Sequence, residues 1–244
     1  MKTGLVISYK GSAYCGWQIQ TKAKKPSVQK TLQNAVESTF GIQVSLTGCS
    51  RTDSGVHAKE FYCHLDKLIS IDNEKIPLAV NRNLPSDICV NRAFDADDSF
   101  HSRYSAKGKE YMYLIWNSKY KNVFHTDTAF MYPKYIDVDE LNKIGKDFEG
   151  THDFSAFVSA NTTVSDFVRT VWYFRAERDG DFVKIYTAAD GFLYNMVRIM
   201  VGTSIDILTG GVSLPVKEII ESKQRGKAGR TMPPHGLYLN RVFY

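Results

Sequence analysis

At 244 residues, with a net charge of +5 and 13% aromatic residues, the chain is long enough to bury one large core or two modules of about 100–120 residues each. The cysteines at positions 15, 49, 63 and 89 form no C-x-x-C pair and no zinc-ligand spacing, which excludes a disulfide scaffold and a zinc ribbon and fits reduced thiols. Residues 1–9 enter a strand pattern without the hydrophobic region or cleavage site of a secretory leader, so a cytoplasmic location without a membrane span is expected.

In chain order, residues 5–9 read as a strand, and residues 10–17 as a loop with Tyr14 and Trp17 at its tip. Ser27 caps a helix over residues 28–40, where Val28, Leu32, Ala35, Val36 and Phe40 keep helical spacing, and Gly41 stops it. Strands follow over 42–46 and 56–65, a short helix over 77–83 and a strand over 88–94. The second half opens with a strand over 109–116 that puts Tyr111, Tyr113 and Ile115 on one face. A helix capped by Asp137 extends to residue 149, and residues 150–158 lead into a polar loop ending near 166. A hairpin turns around Asp179-Gly180 between strands at 167–176 and 182–188. Helices over 191–208 and 215–222 and a last strand over 237–243 complete the chain. The two halves repeat a strand-helix-strand-strand order, which predicts an α+β fold. Two like, RNA-recognition-motif-like modules, 1–104 and 105–244, share one extended, mostly antiparallel sheet with helices packed against it.

The stretch richest in chemistry is residues 48–58, where Arg51 stands two residues before Asp53, and Asp53-Ser54-Gly55 is a turn signal that leaves a carboxylate proud of a strand end. The same residues also suit ordinary turn chemistry. Arg198, in the middle of a helix apolar nearly all round, needs a partner, because a buried guanidinium costs several kcal/mol when unpaired. Asp206 on the same helix lies two turns away, and a carboxylate from the other module is the favoured partner. Basic residues gather at Lys22, Lys24 and Lys25, at Lys107 and Lys109, and at Lys223, Arg225, Lys227 and Arg230. Such clusters suit a polyanion partner and equally a solvated surface. Tyr111 and Tyr113 suit base stacking, and equally a strand core. His101 reads as a junction residue or as a satisfied, half-buried histidine.

Several chemistries lose their anchor. His57 and Glu60 lack the remaining elements of a zinc deaminase, and Ser54 and His57 lack a G-x-S-x-G elbow. Neither a P-loop nor a dinucleotide fingerprint occurs. No metal site is indicated, and carboxylate catalysis without a cofactor remains.

Taken together, Gly16-Trp17-Gln18, Ser27-Val28-Gln29, residues 51–57, Asn83-Leu84-Pro85, Phe100-His101-Ser102-Arg103, Tyr111-Met112-Tyr113, Met196-Val197-Arg198 and Gly236-Leu237-Tyr238-Leu239 resemble the bacterial tRNA pseudouridine synthase A family over essentially the whole chain. The resemblance implies a cofactor-free isomerase that converts uridines at positions 38 to 40 of the tRNA anticodon stem-loop, in a cleft between the modules. It also implies a homodimer with tRNA as partner. It implies that Asp53 is the catalytic residue, that Tyr111 stacks on the target uracil, that Arg198 pairs with the catalytic carboxylate and that Arg51 takes the space of the flipped-out base. Leu237 joins them as a substrate-binding residue. Ser50 and Ser54 stand where Gly and Ala are frequent in that family, and Asn195 where His is common. A non-catalytic tRNA-binding module and a base-removing glycosylase are the competing functions.

Overall fold

The computed structural model describes residues 1–66, 69–160, 162 and 164–244. Residues 161 and 163 of the expected polar loop lie outside the described residues. By backbone contacts the chain forms two compact units, Met1–Lys107 with Tyr238–Tyr244, and Gly108–Leu237. No helix among the described residues is long and apolar enough to cross a membrane.

The first unit holds β1 (Lys2–Tyr9), α1 (Val28–Phe40), β2 (Leu46–Gly48), β3 (His57–Leu65), α2 (Lys75–Asn81) and β4 (Ile88–Ala96). β1 pairs antiparallel with both β3 and β4, and β2 lies antiparallel on the far end of β3. The resulting order, β4-β1-β3-β2, is that of a split β-α-β module. The chain returns to this unit at its end, where Tyr238 and Leu239 pair parallel with His57 and Ala58. Alternating Leu5 and Ile7 of β1, Phe61 and Cys63 of β3, Leu32 and Val36 of α1 and Ile76 and Val80 of α2 are all fully buried and form the core. Each such side chain contributes about 1.5–3 kcal/mol by leaving water.

The helix at 28–40 forms as expected: Ser27 Oγ accepts from Lys30 N at 3.2 Å, and Gly41 closes the last turn. Two expected elements move. Residues 42–45 are not a strand, because Val44 N donates to Glu37 Oε1 on α1 at 3.1 Å instead of to a ladder, so β2 begins only at Leu46. The helix expected at 77–83 is Lys75–Asn81, with Pro77 in its first turn, where a missing N–H costs nothing. Its end is held by Asn81, whose Oδ1 accepts from Val90 N at 2.7 Å and whose Nδ2 donates to Val90 O at 3.0 Å.

The second unit holds β5 (Gly108–Trp116), β6 (Phe130–Met131), α3 (Val138–Lys146), β7 (Gly150–Asp153), β8 (Val168–Asp179), β9 (Phe182–Ala189), α4 (Met196–Leu208) and α5 (Val216–Ser222). Its antiparallel run is β5-β9-β8-β7, with β6 parallel to the end of β5. The short strands β6 and β7 escape the sequence pattern because two and four residues show no alternation to read. β10 (Leu237–Phe243) falls where expected. Asp137 Oδ1 caps α3 through the N–H groups of Asp139 and Glu140. Asp179 and Phe182 close the hairpin, with Gly180 at φ 57° in its first central position. Phe148, Phe154 and Phe157 are fully buried, with the Phe148 ring 5.3 Å from those of both Phe157 and Phe174.

Two histidines, His64 buried and His235 half-buried, give the fold a pH dependence. His64 is 2% exposed, its Nδ1 lies 2.6 Å from Ser102 Oγ, and burial lowers its pKa from 6.5; burial likewise lowers that of His235. Each folded-state pKa lies below the unfolded value, so the unfolded chain binds more protons under that value. The stability contribution is complete above pH 6.5 and is lost as pH falls below it. The urea midpoint is therefore expected to drop between pH 7.5 and pH 5.5, and His64→Gln should make that drop smaller. An equal drop in the variant would remove His64 from the account.

Candidate active site

In the first unit, residues 48–58 are fixed from both sides. Thr52 is buried; its Oγ1 lies 2.8 Å from Tyr9 Oη and its carbonyl accepts from Trp17 N at 3.2 Å. Val56 N donates to Asp53 O at 3.1 Å, closing a turn with Gly55 at φ 81°, the left-handed geometry a type II turn requires at that place. Ser54 Oγ donates to Tyr14 O at 3.1 Å. Gly16, at φ 104°, leaves no room for a side chain, since a Cβ there would sit 2.2 Å from Thr52 O. This bracing leaves Asp53 half-buried at the first position of the turn and Arg51 exposed two residues earlier. The turn backbone that carries the Asp53 carboxylate is thus held in place by its neighbours, a placement that suits acid, base or nucleophilic work.

The scaffold of that loop was only partly foreseen. Tyr14 and Trp17, expected at a loop tip, are 3% and 2% exposed. Trp17 packs 4.2 Å from the Phe61 ring, and Tyr14 Oη donates to Asp87 Oδ1 at 2.6 Å. Gln29 clips the same loop to β2, accepting from Ile19 N at 2.9 Å and donating to Leu46 O at 2.7 Å. Thr52 and Tyr14 carry no chemical signature in sequence, because they act through backbone and hydroxyl contacts. Ser54, noted as an unusual residue, serves as an anchor.

In the second unit, Tyr111 of β5 is 7% exposed and meets the Phe192 ring edge-on at 5.2 Å. Arg198, half-buried in the first turn of α4, donates from Nε to Met232 O at 2.5 Å and from Nη1 to Asn195 Oδ1 at 2.6 Å. Asp206 is committed elsewhere, 3.0 Å from Arg230 Nη2 and accepting from Arg230 N. The contacts of Arg198 named above are thus to Met232 and Asn195, and those of Asp206 to Arg230. Residues 232–237 are drawn in as well: Tyr113 Oη donates to Pro233 O at 2.8 Å, and Leu237, 6% exposed, follows directly. Thus β5, the 192–195 turn, α4 and residues 232–237 bring Arg198 and Leu237 close to the β5 strand that carries Tyr111, whereas Asp53 and Arg51 belong to the first unit. Tyr113 is not a stacking platform: it is fully buried, and burial raises its phenol pKa.

Asn195 was noted in the sequence only as a departure. Its backbone sits at φ 62°, a left-handed conformation that asparagine tolerates better than most residues, and this delays the start of α4 from residue 191 to Met196. Its side chain joins Arg198 to Ser159 Oγ, which accepts from Nδ2 at 2.9 Å. Asn195→Gly keeps the backbone relaxed but removes the acceptor that orients Arg198. Turnover is expected to fall several-fold with the melting temperature nearly kept, as steady-state kinetics and calorimetry would show; unchanged turnover would leave Asn195 a purely structural residue.

Other candidates are structural. His57 is 1% exposed, accepts from Gly11 N at Nδ1 (3.0 Å) and stacks on Tyr238 at 4.6 Å, while Ser54 is anchored on Tyr14. His101 Nδ1 accepts from the N–H groups of Arg103 and Tyr104, as a satisfied histidine does. In the basic run near the end, Lys223 pairs with Asp153 at 2.8 Å, Arg230 with Asp206, and Arg225 donates to Ala228 O, Gly229 O and Thr231 Oγ1. That run is thus largely tied down, whereas Lys22 and Lys24 are exposed. Among the described residues no cluster of three or more His, Cys, Asp or Glu has metal-binding geometry.

A family model described as tRNA pseudouridine synthase matches residues 5–105 and 144–244. The chain is 41% identical to tRNA pseudouridine synthase A of Acetivibrio thermocellus over 98% of both proteins, and 42% identical to that of Thermoanaerobacter sp. over the same shares. It is 38% identical to tRNA pseudouridine synthase A of Bacillus subtilis over 100% of this chain and 99% of the other. A chain in the crystal structure of a Cbf5-Nop10-Gar1 complex is similar over 97% of this chain and 57% of its own length, but at 12% identity and a TM-score of 0.42 that likeness carries no argument. With the family match covering both blocks of the chain and the curated relatives covering it end to end, the chain belongs to the tRNA pseudouridine synthase family.

Proposed function

We propose that this protein isomerises uridine to pseudouridine in tRNA, with Asp53 as the catalytic carboxylate and positions 38 to 40 of the anticodon stem-loop as its targets. The observation that supports it most is the braced turn presenting Asp53, in a chain that aligns from end to end with synthases of this name. The reaction breaks the N1–C1′ bond, turns the uracil and forms a C5–C1′ bond, while the C5 proton is released and N1 gains one, so the RNA keeps its mass. A stacked stem hides the target, so the nucleotide is flipped out at a cost of a few kcal/mol, which stacking and charge contacts offset.

In this proposal Tyr111 stacks on the uracil and assists proton removal at C5. Arg198, held by Met232 O and Asn195, is the counter-charge of Asp53, and Arg51 fills the space of the extruded base. Leu237 lines the substrate site. A homodimer and a cytoplasmic location accompany this proposal; the four cysteines carry no disulfide. Incubation of the purified protein with an unmodified tRNA transcript, followed by carbodiimide mapping, tests it. Stops at positions 38 to 40 are expected; stops confined to other positions would overturn the assignment of targets.

A further inference from the structure

We propose that residues 117–128, the loop after β5, form a second RNA-contacting element, in which Tyr120 and Phe124 stack on unpaired tRNA bases while Lys119 and Lys121 hold the flanking phosphates. This rests on tRNA being the substrate. Tyr120 and Phe124 are 80% and 87% exposed, far more than Tyr111 at 7%. Lys119 and Lys121 flank Tyr120 and are exposed too, and Asp127, half-buried, is the one acid in the segment. Aromatic faces interleaved with lysines are what sequence-tolerant binding of unpaired nucleotides uses.

The loop is braced rather than loose. Trp116 Nε1 donates to Tyr120 O at 2.7 Å, and Phe124 N and His125 N donate to Asn122 Oδ1 and Asn122 O at 3.0 and 3.2 Å. The His125 ring stands edge-on to Phe182 at 5.1 Å, and Phe182 in turn meets Trp116 at 4.8 Å. A surface aromatic on a fixed backbone loses little affinity to ordering when it binds. From Tyr111 to Trp116 the strand advances about 17 Å. The loop therefore contacts RNA well away from the target nucleotide, and its contribution should fall on binding.

The test is the double variant Tyr120→Ala/Phe124→Ala, with affinity for an unmodified tRNA transcript read by fluorescence anisotropy, KM and kcat by pseudouridine formation, and association state by sedimentation. Kd and KM are expected to rise at least about thirtyfold, the lower range of losing two stacked bases, and Tyr120→Trp/Phe124→Trp should restore them. Lys119→Gln/Lys121→Gln should reduce the salt slope of tRNA binding by about one per lysine. Wild-type tRNA affinity in the double alanine variant would overturn the inference. So would a shift from associated to monomeric protein with tRNA affinity kept, which would make the loop a contact with a second copy. If the wild-type protein binds tRNA without making pseudouridine, the proposed activity fails while anisotropy still scores the loop.

Discussion

Asp53→Asn is expected to bind tRNA as the unsubstituted protein does and to form pseudouridine at least about ten-thousand-fold more slowly, the upper range for one positioned acid-base group. The substitution keeps the size and turn preference of the residue. The turn itself rests on backbone and neighbouring groups, namely Val56 N to Asp53 O, the two contacts of Thr52 and the Ser54 anchor. The loop should therefore stay in place, so the loss is chemical rather than structural. Single-turnover assays with excess enzyme, paired with tRNA anisotropy, separate the two effects. Near-normal turnover would remove Asp53 from the mechanism; lost binding with lost turnover would make it a binding residue instead.

Arg198→Met is expected to lower turnover by about 10²–10³-fold, the range for removing one preorganised charge partner from a reacting centre, with tRNA affinity largely kept. Methionine suits the apolar surroundings of α4, where Met196, Val197, Ile199 and Met200 are buried, so the helix should persist. A carboxylate that loses a neighbouring guanidinium titrates at higher pH. The acid limb of the rate profile should therefore move upward in this variant, a change that a merely structural role for Arg198 would not produce. Wild-type turnover with an unmoved profile would break the proposed pairing of Arg198 with Asp53.

How much of this was legible in the sequence follows from which signals are local. The helix at 28–40 and the hairpin at Asp179-Gly180 could be read because capping and turn chemistry reside in neighbouring residues. Residues 42–45 misled because alternation describes which face a strand would bury, not whether a partner exists, and Glu37 took the N–H that a ladder needed. At the site, Asp53 and Arg198 stood out as charged residues in unusual settings. Their supports did not: Thr52 and Tyr14 act through contacts to residues 43 and 40 positions away, which no spacing rule encodes, and Asn195 through a left-handed backbone that interrupts the helical pattern. The run from Lys223 to Arg230 shows the opposite failure, since three of its four charges are engaged with their own unit. The exposed aromatics of residues 117–128 left no periodic trace at all.

The proposed chemistry is isomerisation, with no base released. It is tested most directly by digesting tRNA to nucleosides after incubation with the protein and quantifying uridine, pseudouridine and free uracil by mass spectrometry. Pseudouridine should appear in the amount of uridine lost, with no free uracil. Free uracil with abasic sites, or tRNA bound with its uridines unchanged, would contradict it.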